Sequence, residues 1–179
     1  LGGLLRRTAV AVAADNATVI DGLPRAAEIA GRPLGVVVEC DTGRKRAGVE
    51  TAAEAIELAQ RIGRSPGLAF GGFLFYPQET EASWRATQRF LDEATAGVRA
   101  AGLEPRIAST GGTPNLARLG QLTGGTEHRA GTYIFNDRMM LACGAARLED
   151  CALTVLTSVV SRAGPERGIL DAGSKTLTA

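Results

Sequence analysis

With 179 residues, 45% of them hydrophobic and 22% charged, the chain carries enough apolar content for a real core, and one compact domain is the default expectation. Twenty Lys and Arg against nineteen Asp and Glu leave a net charge of +1, which gives no basic footprint for nucleic acid. No window approaches the roughly 18 uninterrupted apolar residues of a membrane span, and residues 1–7 lack the charged start and apolar run of a signal peptide. Cys40, Cys143 and Cys151 are odd in number and widely spaced without a CxxC pair, so they read as free thiols of a reducing, cytoplasmic setting rather than a disulfide scaffold. Lys45 and Lys175 are the two lysines among the twenty basic residues, so chemistry that needs a lysine amine has two candidates in this chain.

Apolar runs alternate with helical patterns along most of the sequence. Residues 8–14 read as a strand, and 18–30 as a helix stopped by Gly31. Residues 34–39 (LGVVVE) form a continuously apolar, β-branched strand buried on both faces. Thr51-Ala52-Ala53-Glu54 is a capping box, behind which Ala52, Ala55, Ile56, Ala59 and Ile62 line one helix face. Strand 68–76, helix 79–101 ended by Gly102, strand 106–109, a short helix 114–122 with Pro at its start, and strand 132–135 follow. This alternation demands parallel strands with crossover helices, hence an α/β sheet or barrel. Residues 152–162 are then a long β-rich run, followed by a Gly164-Pro165 turn and a second strand at 168–171 with no helix between. That reads as antiparallel pairing added after the α/β part. A closed (β/α)8 barrel takes about 250 residues, whereas five strands precede the β segment here. With no initiator Met, the chain reads as a fragment.

The strongest local signal is Ser109-Thr110-Gly111-Gly112-Thr113-Pro114, between a strand and a helix start. Two glycines allow close backbone approach, the hydroxyls add donors, and a helix N-terminus attracts an anion. This is the layout of a phosphate cup, or equally of a strand-to-helix turn with N-caps. It matches neither a Walker A nor a Rossmann fingerprint. A second turn at Arg129-Ala130-Gly131-Thr132-Tyr133 supplies donors at the neighbouring strand end, or is a bulge with Tyr133 packed beneath a helix. The run Asp41-Thr42-Gly43-Arg44-Lys45-Arg46 closes a buried strand, at the end where barrel enzymes keep functional residues. There Arg46 has the planar fork to hold a phenolate or carboxylate. Arg44 and Lys45 read as a solvated charge run, and Asp41 as a loop-holding residue. Tyr76 closes its strand, either to meet a flat cofactor ring or as a core tyrosine; Phe73 and Phe75 are assigned to packing. His128 stands as the single histidine, so no two-His metal site can form, and no GxSxG elbow supports a serine hydrolase.

In their order along the chain, the segments VECDTGRKRAGV (38–49), GFLFY (72–76), STGGTP (109–114), EHRAGTYIFND (127–137) and VVSRAGPERGILDAGSK (159–175) resemble the fold-type III pyridoxal-phosphate enzymes. The branch is that of D-threonine aldolase and D-serine dehydratase, relatives of alanine racemase. The resemblance implies an α/β fold: a partial (β/α)8 TIM-type barrel over residues 1–145, followed by the start of a C-terminal β domain over 146–179. It implies pyridoxal 5'-phosphate held by Arg46 at the phenolic oxygen, Tyr76 at the ring, and Thr110, Gly111, Gly112 and Thr113 at the phosphate. Gly131, Thr132 and Tyr133 would complete the cup, and Arg129 occupies the place from which an arginine can face the pyridine nitrogen. The implied activity is a lyase acting on D-β-hydroxy amino acids, cleaving Cα–Cβ as an aldolase or removing the β-hydroxyl as a dehydratase, in a cytoplasmic homodimer. An amino-acid racemase, or a non-catalytic pyridoxal-phosphate-binding or homeostasis protein, stands as the alternative. In the family the Schiff-base lysine comes from an early strand, expected upstream of Leu1, so no catalytic residue is assigned in this chain. A divalent metal (Mn or Zn) is expected to be held beyond Ala179, and Lys175 follows a β-domain motif and is not assigned as the cofactor lysine.

Overall fold

The computed structural model describes residues 1–173 and divides them into two compact units, Leu1–Thr132 and residues 133–173. The first unit carries, in chain order, α1 (Gly2–Leu5), β1 (Ala11–Ala14), α2 (Ala17–Gly22), α3 (Pro24–Ala30), β2 (Leu34–Cys40), α4 (Ala52–Arg64), β3 (Leu68–Phe75), α5 (Glu81–Ala100), β4 (Ile107–Gly111), a 3-10 helix (Thr113–Gln121) and β5 (Glu127–Arg129). The five strands form one parallel sheet in the order β1-β2-β3-β4-β5. A sheet whose spatial order follows chain order is a barrel sector, since a doubly wound sheet would reverse direction from an inner strand.

The core lies between the sheet and its helices. Val36, Val38 and Cys40 of β2 and Phe73 and Phe75 of β3 meet Ala55, Ala59 and Ile62 of α4 and Phe90, Ala94 and Val98 of α5. Each fully buried large apolar side chain there contributes about 1.5–3 kcal/mol relative to its exposed state. The Phe75 ring meets Phe90 edge-on at 5.6 Å. The capping box forms as read: the Thr51 hydroxyl accepts from the Glu54 N–H at 3.2 Å, and the Glu54 carboxylate accepts from the Thr51 N–H at 3.0 Å. On the helix behind it Leu58 is buried outright, while Ile56 packs at the margin of the core.

β3 carries an irregularity that sets which side chains face which way. Val36 pairs with Phe70 but Val37 pairs with Gly72, so β3 gains one residue at Gly71-Gly72. Gly72 sits at φ +136°, and a Cβ there would lie 2.0 Å from the Ile107 carbonyl oxygen. The extra residue returns Phe73 and Phe75 to the core and leaves Tyr76 on the opposite, inner face of the sheet.

Four expected elements are corrected. The helix expected at 18–30 is two helices, because Pro24 lacks an N–H and its ring crowds the preceding turn, breaking the run at Leu23. The helix expected at 114–122 is wound as 3-10, beginning with the Asn115 N–H on the Gly112 carbonyl at 3.0 Å. The strand expected at 132–135 is a single 3-10 turn, Thr132–Ile134, and the fifth strand is Glu127–Arg129 instead. Of the β run at 152–162, the part from Val159 onward is strand. β6 (Val159–Gly164) pairs antiparallel with β7 (Arg167–Leu170) in the second unit.

That second unit also contains α6 (Arg138–Ala142), N-capped by Asp137, whose carboxylate accepts from the Met140 N–H at 3.0 Å. Asp171 ties the open end of the hairpin by accepting from the Thr157 hydroxyl at 2.7 Å and the Ser158 N–H at 2.9 Å. Lys175 lies outside the described residues.

Candidate functional site

The inner face of the sheet, at the carboxyl ends of β2 to β5, gathers charge and glycine where the outer face gathers apolar bulk. Side chains alternate along each strand, so Glu39, Tyr76, Ser109, Gly111, Glu127 and Arg129 share this face. Ser109 is buried at its centre and donates to the Glu127 carboxylate at 2.6 Å. Arg129 donates to the Ser109 oxygen and, at 3.1 Å, to the Phe75 carbonyl. The Arg129 guanidinium, partly desolvated against these groups and near the like charge of Arg46, is held below its ordinary pKa, with Glu127 and Glu39 pulling the other way.

The loop after β2 brings two more arginines. It closes on itself, with the Asp41 N–H on the Val49 carbonyl at 2.8 Å and the Val49 N–H on the Glu39 carbonyl at 3.0 Å. Asp41 holds its first turn, accepting from the Gly43 N–H at 2.7 Å. The guanidinium of Arg44 then lies 4.5 Å from the Tyr76 ring centroid and that of Arg46 lies 5.1 Å from it. Arg46 stays open to solvent, its nearest carboxylate being Glu39 at 3.9 Å. Arg44, expected in a solvated charge run, is instead half-buried: it donates to the Pro77 carbonyl at 3.1 Å and pairs with Glu79 at 2.5 Å. Lys45 does face solvent, paired with Glu50 at 2.6 Å.

Tyr76 reaches across to the STGG turn. A Cβ built on Gly111 would lie 2.9 Å from the Tyr76 ring and 2.8 Å from Arg129, and one on Gly112 would lie 2.8 Å from the Tyr76 hydroxyl. Any side chain at either position would therefore displace Tyr76, and Gly112 at φ +102° disfavours one on backbone grounds as well. Two of the donors counted from sequence are committed to joining the turn to β5. The Gly112 N–H bonds the Arg129 carbonyl at 3.1 Å, and the Thr110 hydroxyl meets His128 Nδ1 at 2.8 Å on the outer face. Thr113 is buried at the start of the 3-10 helix, Gly131 and Thr132 are exposed just past β5, and Tyr133 belongs to the second unit.

Sequence reasoning missed the groups that brace this arrangement. Asn115, fully buried, donates to the Pro77 carbonyl at 2.9 Å and accepts from the Trp84 indole N–H at 3.1 Å, tying the STGG turn to the end of β3 and to α5. Thr42 meets Thr87 of α5 at 2.7 Å, and Gln78 donates to the Gly43 carbonyl at 2.7 Å, joining the loops after β2 and β3. Ser109 and Glu127 were legible only once the β4–β5 register placed them side by side.

The residues present suit a flat, anionic, phosphorylated ring: an aromatic side chain with cations beside it, a backbone cradle kept clear of Cβ atoms, and a cation on the sheet floor. Among the described residues no group of three or more His, Cys, Asp and Glu comes together as a metal site, and no helix is long and apolar enough to cross a membrane.

Comparison with known proteins gives the same outline. The alanine racemase N-terminal domain family matches residues 4–139. The D-threo-3-hydroxyaspartate dehydratase of Delftia sp. (strain HT23) is 34% identical over 178 residues, 89% of this chain and 46% of that enzyme. A D-threonine aldolase of Arthrobacter sp. is 33% identical over the whole of this chain and 50% of its own length. Among solved structures, D-threonine aldolase from Filomicrobium marinum superposes with a TM-score of 0.78 at 26% identity, over 99% of this chain and 51% of that one. The chain thus spans about half the length of the relatives it matches.

Proposed function

From its membership of the alanine racemase N-terminal domain family, we propose that the protein carrying this chain is a pyridoxal-phosphate-dependent lyase acting on a D-β-hydroxy amino acid, of the D-threonine aldolase or D-3-hydroxyaspartate dehydratase kind. The observation that carries the reading is the inner face itself, with Arg44 and Arg46 on the Tyr76 ring beside a glycine cradle that admits no side chain. When bound, the cofactor supplies an electron sink for the pair left at Cα as a substrate bond breaks.

The chain's own part is to bind and orient. Arg46, exposed and loosely paired, has a free fork for the phenolic oxygen of the cofactor. Tyr76, pinned by Arg44 and the two glycines, presents a fixed flat surface to the ring. The turn from Thr110 to Thr113, through its backbone path and the Thr113 side, receives the phosphate together with Gly131 and Thr132. Arg129, a permanent cation, keeps an adjacent pyridine nitrogen unprotonated and so moderates the sink. Neither Lys45, committed to Glu50, nor Lys175 is assigned as the covalent anchor; a further lysine of the whole protein takes that role. The barrel portion is assigned to residues 1–145 and the start of the β domain to 146–179. A Mn or Zn ion on the substrate hydroxyl, a homodimer and a cytoplasmic location complete the reading.

The test is the whole protein with pyridoxal phosphate. A visible absorption band bleached by borohydride, with one lysine labelled in a peptide map, is expected. Glycine and acetaldehyde from D-threonine identify the aldolase, and oxaloacetate and ammonia from D-3-hydroxyaspartate the dehydratase. Appearance of the L-isomer alone overturns the lyase reading in favour of a racemase. Cofactor binding without turnover of any D-amino acid overturns it in favour of a homeostasis protein.

A further inference from the structure

The one histidine of the chain has a more specific placement than a structural or exposed residue requires. His128 lies on the outer face of β5, opposite the site, and both of its ring nitrogens bond the STGG turn: Nδ1 meets the Thr110 hydroxyl at 2.8 Å and Nε2 meets the Gly112 carbonyl at 3.0 Å. A carbonyl can only accept, so Nε2 carries the proton; in the neutral ring Nδ1 then accepts, and the Thr110 hydroxyl donates to it.

The consequence falls on Gly112. Its N–H bonds the Arg129 carbonyl at 3.1 Å, and its own carbonyl receives the Asn115 N–H at 3.0 Å as well as His128. This peptide is thereby held from both sides at φ +102°, a conformation with no Cβ contact to stabilise it. Of these tethers, two come from backbone and recur whatever the side chains; the third depends on the residue at 128. Strand β5 is three residues long, and two of its side chains, Glu127 and Arg129, point to the inner face, so His128 is the outer-face side chain that ties β5 to the turn.

We propose that His128 is a positioning residue for the phosphate group of the cofactor: it never touches the phosphate, but by holding the Gly112 carbonyl outward it fixes the peptide path that forms the cup. The proposal rests on the pyridoxal-phosphate reading above. Its particular consequence is that His128 affects binding of the phosphate more than binding of the pyridoxal ring, since the Gly112 peptide forms the cup itself and meets the ring-binding groups only through its packing on Tyr76 and its N–H on the Arg129 carbonyl.

The side chains of Asn and Gln separate the two bonds. Asparagine places an acceptor near the Nδ1 position and keeps the Thr110 bond; glutamine places a donor near the Nε2 position and keeps the Gly112 bond. In the whole protein, dissociation constants for pyridoxal phosphate and for pyridoxal, which lacks the phosphate, are measured for wild type, His128→Ala, His128→Asn and His128→Gln. The expected result is about a tenfold weakening for pyridoxal phosphate in the Ala and Asn variants, the size of one lost hydrogen bond, with pyridoxal weakened several-fold less and the Gln variant near wild type. Should His128→Ala fail to fold, the Asn and Gln variants decide the matter between them. Equal weakening for both ligands, or equal behaviour of Asn and Gln, overturns the proposal while leaving the cofactor reading intact. A wild-type protein that binds neither ligand overturns both.

Discussion

Replacing Asn115 with alanine isolates the brace that joins the STGG turn to the end of β3 and to α5. The amide is fully buried and makes two well-formed bonds, one from the Trp84 indole and one to the Pro77 carbonyl. The carbonyl is not left bare by the change, because Arg44 still donates to it at 3.1 Å. The indole N–H of Trp84, itself 4% exposed, loses its one hydrogen-bond partner. Stranding a buried donor costs about 1–3 kcal/mol and losing an ordinary bond about 1 kcal/mol, so Asn115→Ala destabilises by about 2–4 kcal/mol. For a folding unit of this size that lowers the melting temperature by roughly 10 °C. The assay is denaturant unfolding of wild type, Asn115→Ala, Trp84→Phe and the double variant, followed by circular dichroism. Phenylalanine removes the stranded donor, so the double variant falls short of the summed single effects by about 1–2 kcal/mol. A loss below about 0.5 kcal/mol for Asn115→Ala, or strict additivity in the cycle, refutes the reasoning.

Gly72→Ala places a Cβ 2.0 Å from the Ile107 carbonyl at a positive φ, so it breaks the β3–β4 pairing and destabilises by more than about 3 kcal/mol, or yields insoluble protein. A Cβ on its neighbour Gly71 would lie 3.1 Å from the Val37 side chain, which can yield, so Gly71→Ala is milder; thermal melts of both variants check the order. Burial alone would raise the Glu79 carboxyl, but the Arg44 hydrogen bond and its own backbone N–H outweigh it and hold the group below its ordinary 4.5. A lowered folded value contributes stability that is present above the unfolded pKa and disappears as pH falls through the folded one. The stability difference between wild type and Glu79→Gln is therefore constant above about pH 5.5 and shrinks steadily below 4.5, read by urea midpoints across that range.

The strand-and-helix rhythm was legible because the outer face of this sheet obeys simple rules. Residues 34–38 are apolar on both faces of a buried strand, and the Thr51–Glu54 box announces α4 at its first residue. Legibility failed where the inner face dominates. β5 is Glu-His-Arg, polar throughout, because two of its side chains face the site and the third is spent on the STGG turn, so no hydrophobic period marks it as a strand. The apolar residues that do follow, Tyr133, Ile134 and Phe135, are exposed and lie in or beside a 3-10 turn. The site was legible as a set of segments: Arg46, Tyr76 and the STGG turn do converge on one face. The roles of individual donors were not, because Thr110 alternates to the outer face and Gly112 spends its N–H on β5. Those facts follow from strand register, which is a property of pairs of segments. Arg44 was misread for the same reason, since its partners Tyr76, Pro77 and Glu79 lie more than thirty positions away.

The strand order of the sheet also bears on how the molecule is assembled. Each strand lies beside the one made just before it, and at the widest interval, from Leu68 to Ile107, neighbouring strands start 39 positions apart. The entropy of closing a loop rises only with the logarithm of its length, so no step of this sheet pays for a long-range search. A ribosome delivering the chain from its amino end presents each of strands β2 to β5 to a neighbour already made. A circular permutant opened between β2 and β3 would lose that advantage, since β2 would then emerge last and have to find β3 across the length of the chain, and its refolding would slow accordingly.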